Sequence, residues 1–313
     1  MIHTVQFYTN LSFDEKREIE IRFNKNIEEV LKESSNNKGF TISGVNRKLY
    51  YSINIIADIT KILNRGDIYE EDYYVVQQKI DDFITSIVGY SIDLTLIRID
   101  YRFDKKINSE SEKFMLIHIY KKMIHKYGFK IMKNKDKYET SITYDSKSMQ
   151  VIIYDKDQER EDKGEEIEDY EKGVLRFEVK LLNKHLNYNK RKYGICKNLK
   201  SYFSESLQRE YMVKNIRKIV YKGDYYNLYK ADKIIKQSDI KEKDKLFIRE
   251  FLVDVSNHSI AGVRNHEDKY TEYKFKKAIK ILEELNINPI LIPKNKKSLD
   301  GKGYSYIKNP FEI

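Results

Sequence analysis

Residues 94–104, LTLIRIDYRFD, alternate apolar and charged side chains along a β-branched segment, and this alternation constrains the fold more than any other feature. Successive side chains of a strand point to opposite faces of a sheet. Arg98, Asp100 and Arg102 therefore share one face, while Ile97, Ile99 and Tyr101 share the other. The segment predicts a strand in a sheet that has one apolar and one charged face.

Other segments predict strands that alternate with helices. The opening IHTVQFY, the start of residues 46–63, a hairpin over residues 139–155 and VLRFEVKLL read as strands. Helices are expected after Ser12 or Asp14, over the segment ending near Gly89, and from a Ser109–Glu112 capping box to about Tyr127. This order predicts an α+β fold with a mostly antiparallel central sheet flanked by helices.

The chain changes character near residue 205. Residues 155–171 are mostly acidic and suggest a solvated loop, whereas the segments after residue 205 have helical spacing. We therefore expect a larger domain over residues 1–204 and a smaller helical domain over residues 205–313.

Composition narrows the class of partner. The chain carries 59 Lys and Arg against 49 Asp and Glu, a net charge of +10, which favours a polyanionic partner. A Lys-rich sequence from an AT-rich genome would look similar. The single cysteine, Cys196, excludes an internal disulfide framework, and no segment has the length and apolarity of a membrane span. We expect a cytoplasmic protein without a membrane partner.

Charged side chains interrupt two of the apolar strands in a similar way. Glu178 lies between Arg176 and Lys180 on one face of VLRFEVKLL, just as Asp100 lies between Arg98 and Arg102. A carboxylate pair could hold Mg²⁺ or Mn²⁺ while the cations bind DNA oxygens. The alternative is a pair of solvent faces with cross-strand ion pairs.

Tyr188 lies in a basic segment. Residues 184–200 contain six Lys or Arg and no acid, so a tyrosine here could meet a phosphodiester. A phenol, with a pKa of about 10, is a weak nucleophile unless a cation stabilises its phenolate. A carboxylate-bound metal and Lys156 could do so. The chain has 26 tyrosines, however, and most of them must pack or lie at the surface.

The chain resembles the rolling-circle replication initiators grouped with the gene II protein of filamentous phages and with the initiators of small staphylococcal plasmids. The resemblance covers MIHTVQFYTNLS, LIRIDYRFD, the pair VIIYDKDQE and VLRFEVKLLNKHL, and YKFKKAIKILEELNINPI. In the plasmid branch the nicking tyrosine follows ten residues after the Glu of an Arg-x-Glu strand. Arg176, Glu178 and Tyr188 match this spacing.

The resemblance implies a fold like that of nicking endonucleases and relaxases. It implies that Tyr188 attacks origin DNA, single-stranded or in a hairpin, leaving a 5′-phosphotyrosyl link and a 3′-OH primer, with strand transfer later closing the circle. The implied partners are a host helicase, a host polymerase and a second copy of the chain. The family's paired-histidine metal motif is missing here, which leaves Asp100, Glu178 and Glu159 as candidate ligands for Mg²⁺ or Mn²⁺. The implied site residues are Lys156 and Arg176 for catalysis, and Arg98, Lys180, Lys184, Lys190, Arg191 and Lys192 for DNA binding.

Two other functions fit the sequence. Glu178-x-Lys180 with an upstream Asp resembles the metal site of restriction-type nucleases, in which water is the nucleophile. A non-catalytic DNA-binding regulator is the other, although the late helices show no compact helix-turn-helix signature. A second tyrosine, Tyr193, could act in termination, but five residues of helix should turn it away from Tyr188.

Overall fold

The computed structural model describes residues 1–35, 38–121, 130–131, 139–266, 268–294, 301 and 303–313. The fold is α+β, with a mostly antiparallel sheet flanked by helices and with helices towards the C-terminus. The predicted fold class is therefore confirmed. None of the described helices combines the length and apolarity needed to cross a membrane.

The described residues form two compact units, each made of three segments. Unit 1 comprises Met1–Phe103, Lys147–Gln150 and Glu178–Met212, and unit 2 comprises Asp104–Ser146, Val151–Phe177 and Val213–Ile313. The predicted division into a larger domain over residues 1–204 and a smaller helical domain over residues 205–313 stays a prediction.

The main sheet has the strand order β2-β3-β1-β4-β8-β7-β6-β5. Its strands are β1 (Ile2–Leu11), β2 (Phe40–Asn46), β3 (Tyr51–Asp58), β4 (Thr95–Lys106), β5 (Lys130–Ile131), β6 (Ser141–Asp145), β7 (Met149–Asp155) and β8 (Val174–Leu182). In unit 1 the central strand β1 pairs antiparallel with both β3 and β4. This arrangement brings residues from distant parts of the sequence onto one face.

Within the residues that the structure describes, unit 1 holds five complete α-helices. They are α1 (Phe13–Phe23), α2 (Ile27–Ser34), α3 (Ile59–Leu63), α4 (Tyr73–Val88) and α7 (Asn183–Tyr193). Ser12 caps α1 in a capping box with Glu15, as expected for one of the two cap candidates. The predicted first helix is two helices, because Asn24 adopts a left-handed conformation that ends α1. Gly89 ends α4 in the same conformation, as expected.

Unit 2 contains the remaining helices, apart from the first half of α8. They are α5 (Glu110–Lys121), α6 (Lys156–Lys163), α8 (Glu205–Val220), α9 (Leu228–Gln237), α10 (Glu242–Asn265) and α11 (Glu272–Glu284). The Ser109 hydroxyl accepts from the amide of Glu112, as the capping-box pattern predicts. The expected end of this helix near Tyr127 lies outside the described residues. A short sheet pairs β9 (Tyr225–Tyr226) with β10 (Tyr306–Ile307).

The prediction of a solvated loop over residues 155–171 is confirmed only for its second part. Residues 164–170 lie outside helices and strands and are mostly exposed, whereas the first part is not a loop. Residues 156–163 form α6, and Lys156, Arg160 and Glu171 are buried. The acidic composition suggested full exposure, but Lys156 and Arg160 form ion pairs with acids of the same segment and are buried with them. Arg160 Nε, for example, donates to Glu171 Oε2 at 2.7 Å.

Gly223 lies at a turn that only glycine fits. Its φ is +84°, and a Cβ there would lie 2.5 Å from the carbonyl carbon of Ile287 and 2.7 Å from the amide nitrogen of Asn288. Gly164 also has a positive φ of +65°, but a Cβ there would meet nothing within 4 Å. An alanine at Gly164 would therefore meet backbone strain alone, whereas an alanine at Gly223 would meet both backbone strain and steric overlap.

We predict that Gly164→Ala lowers the free energy of unfolding by about 1 kcal/mol, the cost of left-handed backbone for an L-residue. Gly223→Ala should cost about 3 kcal/mol, because overlap with backbone adds to the same strain. Urea titration followed by circular dichroism measures both values. Equal losses for the two variants would contradict the close approach at Gly223.

Candidate functional site

Charged side chains from four neighbouring strands of unit 1 contact one another on the sheet. We call this group the sheet cluster; it consists of His3 on β1, Asp58 on β3, Arg98 and Asp100 on β4, and Glu178 and Lys180 on β8. Four members were predicted site residues, namely Arg98, Asp100, Glu178 and Lys180. The structure brings all four together.

Asp100 is fully buried, with 0% of its side chain exposed. Arg98 lies two residues away on the same face, and its Nε donates to Asp100 Oδ1 at 2.8 Å while its Nη2 donates to Oδ2. Lys180 Nζ approaches Oδ2 to 3.4 Å from the neighbouring strand. Two cations thus replace the water that this carboxylate has lost.

Glu178 is 1% exposed and has partners on two sides. Its Oε2 lies 3.3 Å from Lys180 Nζ, and its Oε1 lies 2.8 Å from His3 Nδ1. The other ring nitrogen of His3, Nε2, lies 3.9 Å from Asp58 Oδ2. His3 therefore stands between two carboxylates.

Sequence reasoning missed His3 and Asp58. A regular strand would place His3 on the same face as Val5, but the register of β1 against β4 shifts at His3, as in a β-bulge. Thr4 then pairs with Asp58 on one side and Asp100 on the other. Asp58 also caps α3, because its Oδ1 accepts from the amides of Thr60 and Lys61.

Nearby opposite charges and hydrogen bonds outweigh burial in setting the pKa values of Lys180 and Asp58. Burial by itself would lower the pKa of Lys180, but the attraction of Glu178 and Asp100 raises it above its ordinary value. Burial likewise would raise the pKa of Asp58, yet the charge of His3 and the hydrogen bond from Thr60 lower it. Lys180 and Asp58 are therefore charged at neutral pH.

Two carboxylates that share one cation offer the hard oxygen donors that Mg²⁺ and Mn²⁺ prefer. Across the described parts of the chain, no group of three or more His, Cys, Asp or Glu could hold a metal ion. Magnesium in nucleotide-processing sites is commonly held by one or two carboxylates, with waters and substrate phosphates completing the shell. Asp100 and Glu178 fit that smaller donor set.

Helix α7 follows β8 directly and is anchored along one face. Asn189 Nδ2 donates to the hydroxyl oxygens of Tyr202 and Tyr211 at 3.3 and 2.9 Å. His185 Nε2 lies 2.8 Å from the same Tyr211 oxygen, and Leu186 is buried. Asn189 lies four positions after His185 and three after Leu186, so the three residues form one inward stripe.

The neighbouring stripe of α7 is exposed, although the ring of Tyr188 still lies 6.2 Å, centroid to centroid, from that of His185. Lys184, Tyr188 and Lys192 follow one another at four-residue spacing and lie on this stripe, with Tyr188 41% exposed. Lys190 and Arg191 are exposed beside them. The predicted DNA-binding residues of this segment are therefore all accessible.

Lys192 lies against two phenols. Its Nζ is 5.3 Å from the ring centroid of Tyr188 and 5.3 Å from that of Tyr193, and hydrogen bonding to Tyr188, then to Tyr193, raises the pKa of Lys192. The two ring centroids are 6.0 Å apart. The expectation that Tyr193 points away is wrong, because the long side chains meet at the last turn of α7.

The other predicted site residues, Lys156, Glu159 and Arg176, belong to an ion network in unit 2. Arg176 is fully buried, and its Nε and Nη2 donate to the two carboxylate oxygens of Asp104 at 2.8 and 2.9 Å. Lys156 Nζ donates to Glu159 at 2.6 Å and lies 3.3 Å from Glu171. These contacts have the form of a buried structural network, and the catalytic and metal-binding roles of the three residues stay predictions.

Unit 2 also has an open groove of about 1370 Å³ beside α9 and α10. Its lining includes three acids, Asp232, Glu250 and Asp254, and three cations, Arg249, Lys269 and Lys294. Two of these acids pair with two of the cations, Asp232 with Arg249 and Asp254 with Lys269. The groove has no excess of positive charge that would favour a phosphate backbone.

No protein-family model matches this chain, and no curated protein matches it in sequence. The resemblance to rolling-circle initiators therefore stays a prediction.

The pKa of Glu159 gives a test of its structural role. Burial raises this pKa, but hydrogen bonds from Lys156 and Lys163 lower it from an ordinary 4.5 to about 2. A lowered carboxyl pKa stabilises the folded state fully above the unfolded value and loses that effect as pH falls through the folded value.

We predict that Glu159→Gln lowers the free energy of unfolding by about 1–3 kcal/mol at neutral pH, the range for a hydrogen bond to a charged group. The gap to the wild type should narrow as pH falls from 4.5 towards 2, the interval between the ordinary and the lowered pKa. Glu166→Gln, at an exposed position of the same segment, is the control. A constant gap in metal-free buffer would argue against the ion network.

Proposed function

We propose that this chain cleaves one strand of DNA with Tyr188 as the nucleophile, as rolling-circle replication initiators do. The main support is the position of Tyr188: it is exposed in the middle of a stripe that otherwise presents Lys184 and Lys192, on a helix that is anchored through Asn189. A nucleophile for a phosphodiester needs both access and a positive field.

The attack forms a bond between the phenolic oxygen of Tyr188 and the phosphorus and breaks the bond to the 3′-oxygen. The phenol loses its proton and the leaving 3′-oxygen gains one. The products are a 5′-phosphotyrosyl link and a 3′-OH that can prime synthesis. Lys192 stabilises the phenolate, because its ammonium group already lies beside the ring. Attack of a 3′-OH on the link later reverses the reaction and closes the strand.

The sheet cluster supports the same reaction. Asp100 and Glu178 would hold Mg²⁺ or Mn²⁺, which stabilises the charge that develops on phosphate oxygens during such transfers. Arg98 is partly exposed beside Asp100, so its guanidinium can contact a phosphate as well. Both carboxylates lie on strands that hold their side chains in one orientation, which suits a site that must position a substrate.

The cations of α7 bind phosphates and thereby position the strand. Such contacts set affinity and register but carry no base sequence. Origin DNA, a host helicase, a host polymerase, a second copy of the chain and a cytoplasmic location stay parts of this proposal.

A specific observation favours a second candidate, a hydrolytic nuclease. Lys180 Nζ lies 3.4 Å from Asp100 and 3.3 Å from Glu178, so an Asp and a Glu-x-Lys from neighbouring strands come together. In nucleases with this arrangement a water molecule attacks the phosphate. Tyr188 would then be dispensable and Lys180 essential.

The two candidates separate in a covalent-adduct assay. Wild type, Tyr188→Phe and Tyr193→Phe are incubated with Mn²⁺ and radiolabelled single-stranded and supercoiled DNA of the replicon that encodes the chain. We predict labelled protein on a denaturing gel for the wild type and Tyr193→Phe, and a loss of at least about 100-fold for Tyr188→Phe, since the nucleophile itself is removed.

Tyr193→Phe is the matched control, because Tyr193 shares the contact with Lys192 and is 59% exposed. Cleavage without an adduct that survives in Tyr188→Phe and is lost in Lys180→Ala would establish the hydrolytic nuclease. DNA binding without cleavage in any variant would leave the non-catalytic regulator.

If the exposed cations of α7 bind phosphates, they should increase the salt dependence of DNA affinity. We predict that the double variant Lys190→Gln, Arg191→Gln reduces the slope of log affinity against log salt by about 1.4 on single-stranded DNA, about 0.7 for each lost phosphate contact. Fluorescence anisotropy with a labelled oligonucleotide measures the slope. The pair Arg17→Gln, Lys32→Gln, exposed on α1 and α2, removes the same charge elsewhere in unit 1 and should leave the slope unchanged.

A further inference from the structure

The ammonium group of Lys180 lies between two buried carboxylates. Its Nζ is 3.4 Å from Asp100 Oδ2 and 3.3 Å from Glu178 Oε2, and these acids are 0% and 1% exposed. A cation held by carboxylates from two neighbouring strands would occupy this same position. The lysine thus stands where the divalent ion of the proposed function would bind.

The remaining carboxylate oxygens also have partners. Asp100 accepts from Arg98 through both of its oxygens, and Glu178 Oε1 contacts His3 Nδ1. The two negative charges of Asp100 and Glu178 are therefore balanced by Arg98 and Lys180. A divalent ion that entered with all four groups in place would leave two uncompensated positive charges in a buried site, and such charges are strongly unfavourable.

Lys180 is the partner that can leave. Arg98 forms a two-bond contact with Asp100 in a fixed fork geometry, whereas Lys180 carries a point charge on a flexible stem and makes longer contacts. The side chain of Lys180 is 16% exposed, so it is not sealed from solvent, although that of Arg98 is more exposed at 27%. A DNA phosphate would offer the displaced ammonium group a new partner.

We propose that Lys180 is an internal cation that excludes divalent metal from the DNA-free protein and releases Asp100 and Glu178 when DNA binds. This inference rests on the proposed function, because it assigns the metal to the same two carboxylates. Metal and DNA then bind cooperatively. By linkage each raises the affinity for the other by the same factor.

Metal binding to the full chain tests this directly. Free Mn²⁺ is followed by electron paramagnetic resonance as the protein is titrated, first without DNA. Lys180→Met should bind Mn²⁺ at least about tenfold more tightly than the wild type, a factor within the range of ordinary coupling between sites. Lys197→Met is the matched control and should bind like the wild type, because Lys197 is a half-buried lysine of unit 1 that donates to the amide oxygen of Asn183.

A second arm uses DNA. With a single-stranded oligonucleotide bound, the Mn²⁺ affinity of a chain carrying Tyr188→Phe should rise about tenfold, and this gain should shrink when Lys180→Met is added. The measurement on Tyr188→Phe alone keeps Lys180, so it remains informative even if Lys180→Met does not fold. Lys180→Arg keeps the charge and should keep metal affinity low.

Three results would overturn the proposal. They are equal or weaker Mn²⁺ binding by folded Lys180→Met, a DNA effect of the same size with and without the lysine, and tight binding by Lys180→Arg. The covalent-adduct assay tests the proposed function independently of these metal titrations. An absent phosphotyrosyl adduct would reject the tyrosine mechanism while the metal titrations still decide whether Lys180 guards the two carboxylates.

Discussion

The sheet cluster depends on one constraint, the cost of burying the charges of Asp100 and Glu178. Moving a carboxylate from water into a protein interior costs several kcal/mol of free energy unless cations and hydrogen bonds replace its hydration. Arg98, Lys180 and His3 provide these contacts from three adjacent strands. The strand alternation places the acids on one face, the register shift brings His3 to them, and Lys180 joins the two. Each acid has two of these partners, so removal of one partner would leave a buried charge that is only partly compensated.

Unit 2 also contains buried charges, but they are compensated by a different kind of contact. Glu171, Arg160 and Arg176 are almost completely buried, and the two arginines form bidentate pairs with Glu171 and Asp104. Such pairs hold their geometry and leave little room for exchange. In the sheet cluster, by contrast, Lys180 makes only monodentate contacts longer than 3 Å and keeps part of its side chain in solvent. Exchange of partners is therefore concentrated at Lys180.

Helix α7 shows how one tyrosine among 26 becomes a candidate nucleophile. Burial raises the pKa of Tyr101 and Tyr225 well above the ordinary value, so neither can ionise readily. Tyr188 is exposed instead, beside a lysine, on a helix fixed in place by Asn189 and its hydroxyl partners. The anchored face supplies rigidity, and the exposed face supplies access and charge. Both properties are needed where a side chain must meet a phosphate.

The sequence alone determined the fold class, most strands and helices, a cap of α1 at Ser12 or Asp14, and the shared face of Arg98 and Asp100, because periodicity and capping are local properties of the chain. It also marked Glu178, Lys180 and Tyr188 as candidates. Only the tertiary structure decided that His3 and Asp58 join the sheet cluster, since a register shift reverses the face that alternation predicts. Tertiary pairing also buried Lys156, Arg160 and Glu171 of the acidic run and brought the ring of Tyr193 to that of Tyr188. These outcomes depend on contacts between residues distant in sequence or on the end of a helix, which local patterns do not encode.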